Sequence, residues 1–269
     1  IATPTLNNAR ELGGYVMQDG RAIRHGRLLR SVQLADAAPE DLRVLREQYD
    51  LRLVLDMRAD DDLVRAPDPE IPGVRWVHDP IIDFSLWQDP AAKLQGHQEE
   101  MDRSTPEGQL KAIAYFLTSG IDAERMYAHY LQSEFGQAGF RLFFREILNC
   151  PEGAVLWHCF TGKDRTGIGA GLLLEALGAD WDTILADYEL SALFFTERIR
   201  WAEDLARGAG YEEEMVQKIA GLMAGIHVNF LRHAWDYMTD TCGSPLSYIR
   251  QVLGITPEEI EILRDRYLE

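Results

Sequence analysis

Apolar residues recur along this chain with two different periods, and their interchange outlines the fold. Short runs at 51–56 (LRLVLD), 74–77 (VRWV) and 153–157 (GAVLW) are too brief for helices and read as strands, the last of them buried. Apolar positions three and four apart predict helices over 39–48, 110–117, 123–133, 139–148, 168–177 and 183–193. The same spacing continues over 195–208, 211–225 and 226–239. The start is irregular, with short strands expected in 9–14 and 20–30, and 84–108 is polar and loop-like. Gly178 marks a helix end, Ser244 and Pro245 open another helix, and Thr256-Pro257-Glu258-Glu259 has the form of a capped helix start. Few strands among many helices predict an α/β sheet core with a helical elaboration at about 195–240. No linker or repeat divides residues 1–269, so one domain is expected.

Composition narrows the picture. Of 269 residues, 46% are hydrophobic, enough for a substantial core. The formal net charge of -17 repels polyanions, which argues against nonspecific binding to nucleic acid or an anionic membrane. A phosphorylated ligand would therefore need a local positive pocket. Cys150, Cys159 and Cys242 lack metal-ligand spacing and are odd in number, so neither a zinc site nor a disulfide framework is expected. No apolar run approaches transmembrane length. The chain begins at Ile1 without a visible leader, which leaves cytoplasmic and secreted locations both open.

The chemistry concentrates in WHCFTGKDRTG, residues 157–167. A strand ends there, a tight loop follows, and an apolar helix begins. Ligands of open α/β sheets bind where strands end and helices start. Unpaired amides and the helix dipole favour an anion at that point. The same field, with Lys163 and Arg165, acidifies the Cys159 thiol toward the nucleophilic thiolate. Arg165 offers a planar fork to two phosphoryl oxygens. Gly162 permits the close turn. A cysteine five residues before an arginine is a weak signal alone; CxxGKDRTG between strand and helix is a strong one.

On these residues the chain resembles the cysteine-dependent protein tyrosine phosphatase superfamily, and within it a bacterial branch with an HCxxGKDRTG loop. NARELGG (8–14), GRLLRS (26–31), LDMR (55–58) and Asp187-Tyr188 fit the same branch. The resemblance implies a mostly parallel central sheet flanked by helices, with a helical insertion after the loop helix that acts as a lid. It implies that Cys159 attacks phosphorus and that Arg165 holds the phosphoryl oxygens. Phe160, Thr161, Gly162, Lys163 and Asp164 then complete the phosphate loop. Thr166 would bond the sulfur and His158 would orient the loop. No metal or organic cofactor is implied. Asp83, in a PxxD segment after the 74–77 strand, matches the proposed general acid; Asp164 is the next candidate, then Asp79.

Other readings remain at this point. Lys163 also suits inositol phosphates, so the substrate could be a phosphorylated protein or a phosphoinositide. A phosphate-binding module without turnover, or a sulfurtransferase, would use a similar loop. Cys150 could form a reversible disulfide with Cys159. Asp56 and Arg58 are expected to form local ion pairs, and Asp60 to Asp62 a solvated turn.

Overall fold

A computed structural model describes residues 1–82, 105–118 and 126–269. Five strands form one sheet: β1 (Arg10–Glu11), β2 (Leu28–Ser31), β3 (Leu51–Asp56), β4 (Arg75–His78) and β5 (Ala154–His158). Their spatial order is β1-β2-β5-β3-β4, with only β1 and β2 antiparallel. The sheet is thus mostly parallel, and β5 lies at its centre.

Alternation along the strands divides the core. Leu53, Leu55, Val155 and Trp157 join the larger apolar cluster on one face, while Leu51, Val54, Ala154 and Leu156 join the smaller one on the other. Leu51 keeps its face only because the β3–β5 register shifts between Leu51 and Leu53. Helix α1 (Pro39–Glu47) covers the smaller cluster with Leu45. The charged helix α2 (Asp60–Arg65) follows β3.

The larger face carries α4 (Met126–Gln132), α5 (Glu134–Leu148), α6 (Asp164–Leu177), α7 (Trp181–Leu190), α10 (Val228–Cys242), α11 (Pro245–Gln251) and α12 (Pro257–Tyr267). Helix α6 is the most enclosed: Arg165 to Leu174 are all buried, as Gly-rich, small-residue turns allow neighbours to close in. Trp157 is fully buried and meets Phe143 of α5 edge-on at 5.5 Å between centroids. Each large apolar side chain so enclosed contributes roughly 1.5–3 kcal/mol. Gly178 ends α6 at φ 100°, a left-handed cap that relieves the last carbonyls.

The helical elaboration differs from the sequence expectation. Helices α3 (Pro106–Thr118), α8 (Thr196–Gly208) and α9 (Glu213–Ala224) share a separate core built on Leu110, Ala114, Ala202, Ala206, Val216 and Ile219. Helix α10, expected within the elaboration, packs Phe230, Leu231, Ala234 and Trp235 into the main core instead. Amphipathic spacing reveals that a helix has an apolar face but not which neighbour it meets. No described helix is long and apolar enough to cross a membrane.

Candidate active site

The sheet register assembles the site. His158 pairs with Ser31 of β2 and Asp56 of β3, so the strand ends bring Arg30, Ser31, Asp56, Met57 and Arg58 alongside the loop 159–163. Helix α6 starts four residues earlier than its apolar spacing marks, because Asp164, Arg165 and Thr166 fill its first turn with polar groups.

The loop carbonyls are held on one side. Cys159 O faces His158 Nδ1 at 3.2 Å, and Phe160 O accepts from the Gln33 amide at 3.3 Å. Gly162 O accepts from Asn8 Nδ2 at 3.0 Å and Arg30 Nη2 at 2.8 Å; Asn8 Nδ2 also approaches Thr161 O at 3.4 Å. In a planar trans peptide the following N–H points the opposite way. The amides of residues 160–163 are therefore turned away from these clamps, and among the described residues no group accepts from them. Gly162 sits at φ 66°, and a Cβ there would lie 2.3 Å from Ser31 O. Only glycine fits that turn without displacing β2.

Cys159 is 1% exposed. Burial pushes its thiol up, but Arg165, the Thr166 hydroxyl and the Thr166 amide together bring it below the ordinary thiol value. The Thr166 hydroxyl makes no hydrogen bond of regular geometry, so its effect on the sulfur is one of proximity. Arg165 is buried and donates from Nη1 to Met57 O at 3.1 Å, with Asp62 Oδ2 at 4.0 Å. Burial opposes its charge, but Cys159 and then Asp62 raise its pKa. Lys163 Nζ donates to Gly225 O at 2.9 Å, tying the loop to the end of α9, and lies 3.7 Å from Asp164 Oδ1. Asp164 also accepts from the Tyr127 hydroxyl, which in turn contacts Tyr188 at 2.9 Å. Burial, then the Asp164 carboxylate, raises Tyr127 far above its ordinary value, so it remains a donor.

Several supporting groups lie far from the loop in sequence. Asp187 accepts from Arg10 Nε at 2.9 Å and pairs with Arg30, so the two arginines that flank Asn8 and Gly162 share one buried carboxylate. Burial alone would raise Asp187, yet Arg30 and Arg10 hold it below the usual range. His158 is fully buried, with Nε2 2.7 Å from Asp68 Oδ2. Burial disfavours its cation, while Asp68 and then Asp56 raise its pKa on balance. Both ring nitrogens face acceptors, which suits the imidazolium.

Asp56, Asp68 and His158 form the one grouping with metal-ligand proximity among the described residues. Arg58 already occupies it, at 2.6 Å from Asp56 and 2.9 Å from Asp68. The expected Asp56–Arg58 pair is thus part of a four-residue charge network behind the loop. Asp60 and Asp61 are solvent-exposed as expected, but Asp62 is partly buried and the run is helical, not a loop turn. The three form the first turn of α2, where Asp62 caps the helix and faces Arg165, and acidic side chains at a helix start are favoured by its dipole.

Of the acid candidates, Asp83 lies outside the described residues. Asp79 is fully buried with neither oxygen hydrogen-bonded among the described residues, and it faces α5, where a Cβ at Gly139 would sit 3.2 Å from Oδ1. Burial, then Glu146, raises its pKa far above the carboxylate range. The unfolded chain loses that proton above about pH 4, so stability falls as pH rises from there toward the raised folded value. Asp79→Asn should remove this slope and gain about 1 kcal/mol or more at pH 7. Urea denaturation should show a smaller gain at pH 5 than at pH 7; equal gains would contradict the assignment. Cys150 is a buried free thiol raised by burial, and no disulfide joins it to Cys159.

Comparison with known proteins gives a consistent set. The model of a family described as the tyrosine phosphatase family matches residues 1–269. A Cupriavidus necator protein named as a candidate tyrosine-protein phosphatase is 28% identical over 281 residues, covering 100% of this chain and 88% of its own. The triple specificity protein phosphatase PtpB of Mycobacterium tuberculosis is 29% identical over 266 residues, 93% of either chain. A tyrosine-protein phosphatase of Nostoc commune is 41% identical over 135 residues, 48% of this chain and 44% of its own.

Proposed function

This chain belongs to the tyrosine phosphatase family, and on that premise we propose that it hydrolyses phosphotyrosine through a cysteinyl-phosphate intermediate, with residues 1–269 acting as one catalytic domain. The observation that carries the reading is the loop itself. Its carbonyls are drawn to one side by Asn8, Arg30, Gln33 and His158, its amides meet no acceptor among the described residues on the other, and the Arg165 charge favours the Cys159 thiolate.

In the first step the Cys159 thiolate attacks phosphorus. An S–P bond forms, the P–O bond to the tyrosyl oxygen breaks, and a carboxylic acid protonates the departing phenolate. In the second step a water oxygen attacks phosphorus, its proton passes to the same carboxylate, and the S–P bond breaks to release inorganic phosphate and the thiolate. The amides of the loop and the Arg165 fork stabilise the equatorial oxygens in both steps. Phe160, Thr161, Gly162 and Lys163 supply those amides, and Thr166 lowers the basicity of the leaving sulfur. The charge network of Asp56, Arg58, Asp68 and His158 holds the Cys159 carbonyl from behind. Nothing in these steps calls for a metal or organic cofactor.

We assign the proton transfer to Asp83, with Asp164 as the second candidate. The carboxylate of Asp164 is already held by the Tyr127 hydroxyl and neighboured by Lys163, so it is less free to reach a departing phenolate. Asp83→Asn should therefore slow turnover about a hundredfold for a phosphotyrosine peptide and far less for an aryl phosphate whose phenolate leaves unaided. Equal losses on the two substrates would move the role to another group.

A phosphorylated protein is the favoured substrate class. The Lys163 ammonium, the group that would suit an inositol phosphate, is engaged by Gly225 and Asp164. Rates on phosphotyrosine, phosphoserine and phosphothreonine peptides and on soluble phosphoinositides, measured side by side, test the ranking. A phosphoinositide rate above the phosphotyrosine rate would reverse it, and no release from any of them would leave a phosphate-binding module.

A further inference from the structure

Arg198 lies on α8. Its Nε is buried without a hydrogen bond, and among the described residues no carboxylate lies within ion-pair distance of it. Burial depresses its pKa and no anion acts to restore it. The chain carries 44 acidic side chains against 27 basic ones, so an arginine left without an anion costs stability that an alternative residue would avoid.

Its neighbours are aromatic. The guanidinium carbon lies 5.8 Å from the ring centroid of Phe160 and 5.6 Å from that of Trp201. Aromatic faces hold a guanidinium through its flat side and leave the N–H groups on its edge available to an anion. Phe160 directly follows Cys159 in the phosphate loop. The trans Cα spacing and the length of phenylalanine place the guanidinium within about 14 Å of the Cys159 backbone, the span of some four extended residues. Trp201 is 41% exposed, so the platform is open to solvent.

We propose that Arg198, framed by Phe160 and Trp201, is an anion subsite that reads a carboxylate side chain a few residues from the phosphotyrosine of a peptide substrate. The assignment rests on the phosphatase reading above. A planar fork with several edge donors matches a single carboxylate in two-point fashion. An anionic bilayer would need a broad basic footprint, whereas α8 also presents Glu197 and Asp204 to solvent and the chain carries a net charge of -17.

The test compares three substrates: a phosphotyrosine peptide with flanking glutamates, the same peptide with alanines, and a soluble phosphoinositide. The wild-type protein should favour the acidic peptide in kcat/KM. Arg198→Gln should lower the ratio of acidic to alanine peptide about tenfold, and Arg198→Lys should lower it less. A wild-type ratio near one, an unchanged ratio in Arg198→Gln, or an equal loss on both peptides would overturn the proposal. So would a larger loss on the phosphoinositide than on the acidic peptide. Equilibrium binding of the two peptides to Cys159→Ser protein, with and without Arg198→Gln, measures the same preference without turnover. Absence of wild-type activity would then count against the reaction, while the binding ratio would still decide for or against the subsite.

Discussion

Cys159→Ser is expected to abolish turnover, by at least about 10⁵-fold, while leaving the phosphate site intact. Serine is close in size to cysteine, and the loop is held by groups that do not touch the sulfur: Asn8, Arg30, Gln33 and the His158 ring. Its hydroxyl stays protonated, so the site loses a negative charge facing a dianion. Inorganic phosphate should therefore bind the variant at least as tightly as the wild type, by calorimetry. Residual turnover within tenfold of wild type would remove the nucleophile from Cys159. Loss of phosphate binding together with activity would mean that the sulfur supports the loop and is not only its reagent.

The second large effect concerns Arg165. It is buried, its Nη1 is fixed on Met57 O, and its charge is favoured by both Cys159 and Asp62. Arg165→Lys keeps the charge but removes the second arm of the fork. The ammonium cannot hold the Met57 carbonyl and two phosphoryl oxygens in one plane. A fall in kcat of about a thousandfold is expected, with a much smaller change in KM, because the missing contacts strengthen as the phosphoryl group is transferred. A lysine variant with nearly normal kcat would show that charge alone suffices and that the planar geometry carries no weight.

The loop was legible in the sequence because everything it needs lies within one short stretch, residues 154–167: a strand to aim it, Gly162 to turn it, a cysteine, and an arginine in the first turn of a helix. Apart from His158, the groups that hold its carbonyls were not. Asn8, Arg30 and Asp187 come from three distant segments, and only the sheet register and the packing of α7 bring them together. Resemblance to a family pointed at these segments without stating what they do. Asp68 carried no signal at all: it sits in a proline-flanked polar stretch, and its bond to His158 spans 90 positions. The triple aspartate at 60–62 did carry one. Acidic residues clustered at a helix start complement its dipole, and that reading would have placed Asp62 on a helix facing the site.

The helical elaboration shows a different limit. Helices α8 and α9 were visible as amphipathic stretches, but their partner α3 lies some eighty residues earlier, and their neighbour in sequence, α10, belongs to the sheet core. Periodicity assigns a face to each helix; shape complementarity selects what covers it.

The claim beneath all of this is that the folded protein keeps the Cys159 sulfur as an anion. Thiolate absorbance near 240 nm, recorded against pH for the wild type and for Cys159→Ser, isolates that one ionisation by difference while Cys150 and Cys242 cancel. The account predicts a difference transition below the midpoint of a free thiol; a midpoint at or above it would contradict the account.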